Sequence, residues 1–455
     1  MSKNQLAPQL AIVILAAGQG TRMKSVKPKV MHELAGLPMI KWLIKTAEKL
    51  SPQKIIVVAG PGMPELQQAA KPHASVIQKV RDGTAGALRM ALPELKNFKG
   101  DVLVLVGDAP LITKETLENL VALRRSKKAG IAVLGAEVCC ADGLGRIVAD
   151  KSGTLKKIIE HKDASAKERE IKLINTGAFC IDGAKLEKWL AKVQNKNAAK
   201  EYYITDLPAI AAKDKAVTKV HVTKNTDEVR GCNSRSDLAA LEKTAQESLR
   251  EKVMNGGVTM IDPDSVTLHH DTVFGADVMI EPNVFFGPGV KVGSSAIIRA
   301  FSHIEGASIG EGANIGPFAR LRPGADIGAD VRVGNFVEIK KSKIGAGSKI
   351  NHLAYVGDTV MGEDVNFSAG AITVNYDGFN KHKTIIGDGA MVGSNVNLVA
   401  PLTVGEGAFI AAGSTITGDV APDALAIERG EVETRKDWAS ENRAKKSDNK
   451  SGKKK

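Results

Sequence analysis

Several stretches of this chain carry side chains that chemistry could use. The loop Leu15-Ala16-Ala17-Gly18-Gln19-Gly20-Thr21-Arg22 follows an apolar run, and its glycines let backbone N–H groups approach an anion closely. Arg22 adds a fixed positive charge, and Lys29 in Lys27-Pro28-Lys29 is a second candidate to meet an anionic reacting group. The loop lacks the Gly-Lys-Ser/Thr end of a Walker A motif and the third Gly of a dinucleotide fingerprint. Alone it reads as a phosphate cradle or a structural turn. Asp108 follows the run Val102 to Val106 and Gly107, where a carboxylate either holds a divalent cation or caps the next turn. His352, in His352-Leu353-Ala354-Tyr355, is a candidate base or a structural histidine. Arg322 and Lys340 match a phosphate, and Val374-Asn375-Tyr376-Asp377-Gly378 opens an insertion.

The elements that must hold these residues differ between the two halves of the chain. In the first half, Ile12-Val13-Ile14-Leu15, Ile55-Ile56-Val57-Val58 and Val102-Leu103-Val104-Leu105-Val106 are short β-branched runs that predict buried parallel strands. Between the first two, Pro38 to Leu50 carries a helical stripe of Ile40, Leu43, Ile44 and Ala47. Strand, loop and helix in alternation predict a doubly wound, Rossmann-like α/β sheet with its site beyond the strand C-termini.

From Phe274 to Ile416 an aliphatic or aromatic residue recurs every six positions. The first run is Phe274, Ile280, Phe286, Val292, Ile298 and Ile304, and Gly often follows the repeated residue, as at Gly275, Gly287 and Gly293. The count restarts one residue early at Ile309, Ile344 and Met361, and resumes after an insertion at Ile386. Every uninterrupted run contains a multiple of three hexads, so slips and insertion fall at one corner of a three-sided β-solenoid. Between the halves, Leu238, Leu241, Ala245, Leu249 and Val253 share one helical face before Asn255-Gly256-Gly257. This helix either connects two domains or closes the first.

The expected organisation is residues 1–235, a helix over 236–256, a solenoid over 257–438 and a disordered basic tail over 439–455, where Lys445, Lys446 and Lys450 fall. A length of 455 residues exceeds the usual domain of about 150, and 43% hydrophobic residues suffice for large cores. The net charge of +12 is partly in the tail, which lacks interleaved aromatics, so a solvated tail is expected and no nucleic acid. Cys139, Cys140, Cys180 and Cys232 lack metal-ligand spacing, which points to a reducing compartment. No run is long enough to span a bilayer, so a cytoplasmic protein is expected.

LAAGQGTRM followed by PKVMHELAG resembles the signature of sugar-nucleotide pyrophosphorylases. With the solenoid residues, the resemblance extends from Leu10 to about Trp438 and is to the bifunctional N-acetylglucosamine-1-phosphate uridylyltransferase/glucosamine-1-phosphate N-acetyltransferases. It implies that Leu15, Ala16, Ala17, Gly18, Lys29, Gln78, Gly83, Thr84, Val106, Gly107, Asp108, Gly145, Glu160, Asn175 and Asn233 contact the nucleotide sugar. Asp108 and Asn233 would hold Mg²⁺, with Arg22 and Lys29 serving the leaving group and transition state. Val106 is a departure, since many members carry another residue there.

In the second half the resemblance implies His352 as general base toward the amine of glucosamine 1-phosphate, with Arg322, Lys340, Tyr355 and Asn366 on the sugar phosphate. Ala369, Asn375, Tyr376, Ser394, Ala412 and Arg429 would lie along acetyl-CoA. The family further implies a left-handed parallel β-helix, a homotrimer with sites between subunits, and the substrates glucosamine 1-phosphate, acetyl-CoA and UTP. The alternatives are a single-site pyrophosphorylase whose solenoid only oligomerises, and a scaffold that uses its tail. The set His352, Tyr355, Asn375 and Tyr376 argues against the first, and the loop with Asp108 and Asn233 against the second.

Overall fold

The computed structural model describes residues 9–141 and 143–451. Contacts divide the chain into one unit of Met1–Lys252 with Leu268–His270 and a second of Val253–Thr267 with Asp271–Lys455.

The first unit is built on a nine-stranded sheet. Strand Leu10–Ala16 lies at its centre, paired in parallel with Lys54–Ala59 on one side and Asp101–Val106 on the other. These are the three apolar runs of the sequence, and alternate residues feed two cores. Ile12, Ile14, Val57, Leu103 and Leu105 face one layer, while Val13, Ile56, Val58, Val102 and Val104 face the other. The helix Met39–Glu48 buries Ile40, Leu43, Ile44 and Ala47 in the first of these cores. The sheet is mixed rather than wholly parallel, because Leu173–Asp182 runs antiparallel to both Asp101–Val106 and Ile131–Glu137. The central strands end at Ala16, Ala59 and Val106, so the loops after them gather at one edge. The helix Arg235–Asn255 packs Leu241 and Ala245 with Met23, Leu34, Met39 and Cys232.

The second unit is a three-faced parallel β-helix. The first face has eight strands from Val273–Phe274 to Leu402–Val404, and the second has ten from Thr259–Met260 to Leu425–Ala426. The third has eight, from Phe285–Phe286 to Thr415–Ile416. The repeated residues point inward and are almost all buried, among them Phe286, Ile298, Leu321, Ile339, Phe367 and Ile410. Each slip separates a third-face strand from a first-face strand, as between Ile304 and Ile309 or Val356 and Met361. The insertion leaves at that same corner, between Ile372–Val374 and Thr384–Ile386. One of the six-spaced residues is polar: the Thr373 hydroxyl accepts from the Gly357 N–H at 2.8 Å, so its burial leaves no unmet hydrogen bond there.

A helix spans Trp438–Ser451, overlapping the segment expected to be a disordered tail. That stretch contains no Gly or Pro, and seven of its fourteen residues are Ala, Glu, Lys or Arg, whose helix propensity competes with its low hydrophobicity.

Candidate active sites

In the α/β unit, a cleft of about 260 Å³ opens at the C-terminal ends of the central strands. It is lined by Leu15, Ala16, Ala17, Gly18, Lys29, Gln78, Gly83, Thr84, Val106 and Asp108, all expected from the sequence. The backbone holds these parts together. Gly107 N–H donates to the Leu15 carbonyl at 2.8 Å, which joins the Asp108 loop to the glycine loop. Gly83 has φ +111, and a Cβ there would lie 2.5 Å from the Tyr202 carbonyl oxygen, so this position requires glycine. The amide of Gln78 is buried and donates to Asp82 Oδ1 at 2.9 Å and to the Gly83 carbonyl at 3.1 Å.

Asp108 and Asn233 are 125 positions apart in sequence and meet around one cation. Lys29 Nζ donates to Asp108 Oδ2 at 2.5 Å and to Asn233 Oδ1 at 3.1 Å. The ammonium thus stands where two oxygen donors converge. A carboxylate and an amide oxygen are the donors a hard divalent cation takes, so these residues fit one. Asn233 is fixed in turn through its backbone N–H, which donates to Asp237 Oδ2 at 2.9 Å. Asp237 is held below the usual carboxylate range; its hydrogen bonds from Asn233 and Ser234 and the nearby Arg22 outweigh the largest single influence, burial, which acts upward. Arg22 itself is exposed, on the short turn Thr21–Met23.

Gly145, Glu160 and Asn175 form a neighbouring group. Asn175 N–H donates to the Gly145 carbonyl at 2.9 Å, and a Cβ on Gly145 would be 3.5 Å from Glu160 Oε2. Glu160 accepts from the Thr205 hydroxyl at 2.9 Å. Burial pushes its carboxyl upward, and Asp163, Asp206 and Glu201 add to the shift against the Thr205 bond. Sequence reasoning missed Arg81, Glu201 and Thr205. Arg81 lines the cleft and donates from Nε to the Ala17 carbonyl at 2.8 Å. The only signal was its place in Lys79-Val80-Arg81 before Asp82-Gly83-Thr84.

In the solenoid, stacking of coils turns spacing into columns. His352, Ala369, Ser394 and Ala412 each stand two residues after an inward residue of the second face, namely Ile350, Phe367, Val392 and Ile410. Backbone bonds between coils tie the column: Gly370 N–H to the His352 carbonyl, Asn395 N–H to Ala369, and Gly413 N–H to Ser394, at 3.3, 2.8 and 2.8 Å. His352 is exposed, and its Nδ1 lies 2.9 Å from Asn335 Oδ1.

The third face carries the two expected phosphate-binding cations, Arg322 and Lys340. Arg320, Glu338, Tyr355 and Ile372 are register partners in successive coils, with Lys340 opposite Gly357 beside them. Arg322 Nη1 donates to Glu338 Oε1 at 2.7 Å, and this bond raises the guanidinium pKa further. A Cβ on Gly357 would meet Tyr355 Oη at 2.5 Å and Asn375 Nδ2 at 2.7 Å, so glycine leaves space where those two side chains converge. Asn375 is buried and donates to Asp358 Oδ2 at 2.5 Å, which anchors the root of the insertion. Tyr376 is exposed, with Lys381 Nζ 4.5 Å from its ring centroid.

Two expected residues stand apart from these groups. Asn366 lies on the second face, where its amide donates to Ser368 Oγ at 3.1 Å. Arg429 is exposed beyond the last strand, Leu425–Ala426. Asn335, Glu338 and Asp358 were missed, because only the coil register brings them beside residues fourteen or more positions away.

Comparison with known proteins agrees with this division. Residues 12–165 match the MobA-like NTP transferase domain, and residues 306–341 and 383–418 match the bacterial transferase hexapeptide repeats. The bifunctional protein GlmU of Paramagnetospirillum magneticum is 49% identical over 96% of this chain and 97% of its own length. That of Zymomonas mobilis is 47% identical over 95% and 97%, and that of Geobacillus thermodenitrificans 41% over 95% and 98%. The chain belongs to the GlmU family. GlmU similarity runs through both halves, so this chain is a transferase that joins a nucleotidyltransferase to a hexapeptide acyltransferase. Its solenoid is the left-handed parallel β-helix, and the reading of a single-site pyrophosphorylase with a merely structural solenoid is not favoured. Among GlmU-type enzymes the nucleotidyltransferase step is one that generally needs a divalent metal. Among the described residues, no helix is long and apolar enough to cross a membrane.

Proposed function

We propose that this GlmU-family chain acetylates glucosamine 1-phosphate with acetyl-CoA through the solenoid. It then transfers uridylyl from UTP to the N-acetylglucosamine 1-phosphate so formed, through the α/β cleft. The product, UDP-N-acetylglucosamine, serves cell-envelope polysaccharide. The observation that carries this reading is the convergence of Lys29, Asp108 and Asn233 at a cleft lined by the glycine loop, in a chain whose solenoid also bears the exposed His352.

In uridylyl transfer a sugar phosphate oxygen attacks the α-phosphorus of UTP, the new P–O bond forms and pyrophosphate leaves. The attacking phosphate is already ionised, so positioning and charge neutralisation suffice without a base. Asp108 and Asn233 would hold Mg²⁺, and that ion when bound neutralises and orients phosphate oxygens. With the cation held there, Lys29 would turn its ammonium toward phosphate, and Arg22 would join it. Leu15 to Gly18 and Gln78, Gly83 and Thr84 would seat the nucleotide, and Gly145, Glu160 and Asn175 the sugar.

In acetyl transfer His352 would accept a proton from the ammonium of glucosamine 1-phosphate. The freed amine attacks the acetyl carbon, a C–N bond forms, the C–S bond breaks and CoA leaves as its thiol. Arg322, Lys340, Tyr355 and Asn366 would bind the sugar phosphate. Ala369, Ser394 and Ala412, in the column with His352, would line the acetyl-CoA groove with Asn375, Tyr376 and Arg429. The same reading includes a homotrimer in which surfaces of neighbouring copies complete each site, and hexapeptide repeats are consistent with oligomers. Cysteines that form no disulfide among the described residues, and the substrates UTP and acetyl-CoA, favour the cytoplasm.

Chelation supplies the test. EDTA is expected to stop pyrophosphate release from UTP and N-acetylglucosamine 1-phosphate while CoA thiol release continues, and added Mg²⁺ restores the first. Equal loss of both activities, or neither activity in folded protein, would overturn the assignment. Light scattering at three times the chain mass checks the trimer.

A further inference from the structure

We propose that Asn335 is a positioning residue for acetyl transfer: its amide oxygen holds the proton of His352 on Nδ1 and so presents an unprotonated Nε2 to the substrate amine. This inference rests on the reading of His352 as the general base.

Asn335 and His352 are register partners in adjacent coils, at the ends of strands Arg332–Asn335 and Lys349–His352. The Oδ1 to Nδ1 distance is 2.9 Å, and the Asn335 carbonyl also accepts from Leu353 N–H at 3.0 Å. The residue before it explains how the two coils come so close. A Cβ on Gly334 would lie 1.9 Å from the Asn351 carbonyl oxygen, so glycine permits an approach that any side chain would push apart. Asn335 is therefore tied to His352 by backbone and by side chain.

The chemistry follows from which groups can donate. A neutral imidazole carries one N–H, and its other nitrogen is the base. An amide oxygen only accepts, so the ring nitrogen facing it must carry the hydrogen. Nε2 then keeps its lone pair. When the amine's proton moves to Nε2, the Nδ1–H bond to Asn335 persists, and the ring need not turn during the step. An amide turned over would donate to Nδ1 and put the hydrogen on Nε2, leaving no base toward the amine. The competing role for Asn335 is coil stacking alone, which would act on stability and not through His352.

The experiment uses the full chain and four variants: Asn335→Ala, Asn335→Asp, His352→Ala and the double substitution Asn335→Ala with His352→Ala. Asn335→Ala is expected to lower kcat for acetyl transfer about 10-fold to 100-fold, by analogy with the loss of an outer hydrogen-bond partner of a metal-bound histidine. KM for both substrates, melting temperature and uridylyl transfer should stay near wild type. Asn335→Asp keeps the shape and the acceptor, and should recover most of the lost kcat. In the His352→Ala background, loss of Asn335 should change nothing further, because its effect passes through the imidazole. If Asn335→Ala does not fold, Asn335→Leu takes its place, keeping volume without the acceptor. A wild-type kcat for the Ala or Leu variant overturns the proposal, as does an equal further loss on the His352→Ala background. A wild-type acetylation rate in His352→Ala would instead overturn the reading of His352 as the base.

Discussion

In the α/β half, the residues around Lys29 come from Leu15, Gln78, Asp108 and Asn233, and no regular interval relates them. In the solenoid, His352, Ala369, Ser394 and Ala412 are related by one rule: each follows an inward residue of the same face by two. The first site is a cleft assembled by chain crossovers at the end of a sheet. The second is a column on the outside of a stack. The difference teaches that a site's mechanical support depends on how its residues were gathered. Asp108 and Asn233 meet because strand Asp101–Val106 and the helix Arg235–Asn255 are both in place. His352 and Asn335 meet because one coil rests on the next.

The sharpest way to break this comparison is Asp108→Asn. The change keeps shape and removes the charge that draws a divalent cation. Uridylyl transfer is expected to fall by about 10²–10³-fold, and acetyl transfer to stay unchanged. Parallel assays of pyrophosphate and CoA release decide it, and equal losses in a folded protein would show that the two sites are not independent.

His352→Ala is the mirror experiment. Loss of a general base should reduce acetyl transfer by about 10²–10⁴-fold and leave uridylyl transfer alone. The residual rate should climb with pH, because free amine then forms without the enzyme. A variant with a lowered melting temperature and broad loss of substrate binding would mark His352 as a structural histidine.

Packing should also distinguish the halves. Ile339 is fully buried between Leu321 and Val356 of the adjacent coils, so Ile339→Ala should cost about 2–5 kcal/mol. Denaturation followed by acetyl-transfer loss should register this, with uridylyl transfer persisting to higher denaturant. In the α/β half the helix Arg235–Asn255 contributes Leu241 and Ala245 to a core with Met23, Leu34 and Met39. A fragment that stops at Arg235 should therefore be less stable than one that stops at Lys252, by about 2–3 kcal/mol. Equal melting temperatures would assign the helix to connection alone.

The smallest expected effect is at Glu160. Burial raises its carboxyl pKa in the folded state, so the ionised group weighs against the fold at neutral pH. That penalty fades as pH falls through the raised folded value and is gone once the carboxyl is protonated in both states. Glu160→Gln, which can still accept from Thr205, should be more stable than the parent near neutral pH by at most about 1 kcal/mol. The gap should close as the pH is lowered. A gap that widens in acid would contradict burial as the dominant cause.

Much of the second half was legible because a β-solenoid writes its cross-section into the sequence. Phe274 to Ile416 marks the inward positions, and the early restarts at Ile309, Ile344 and Met361 mark the corner where the insertion leaves. The first half showed its strands, since Ile12 to Leu15 and Val102 to Val106 are too apolar to lie elsewhere. The antiparallel Leu173–Asp182 was not legible, because strand direction leaves no mark on side-chain alternation. Nor were Arg81, Thr205, Asn335 and Glu338, whose residue types are ordinary until a partner stands beside them.

The sequence by itself determined the inward face of the coils from Phe274 to Ile416, the buried central strands and the glycine loop, because burial and backbone freedom are properties of local composition and spacing. Only the tertiary structure decided that Lys29 bridges Asp108 and Asn233, that Glu160 is buried beside Thr205, and that Asn335 reaches His352. Those are distances between residues set by strand order and coil register. Hydrogen bonding and electrostatics act over a few ångströms, so their partners are known only once the chain has brought them together.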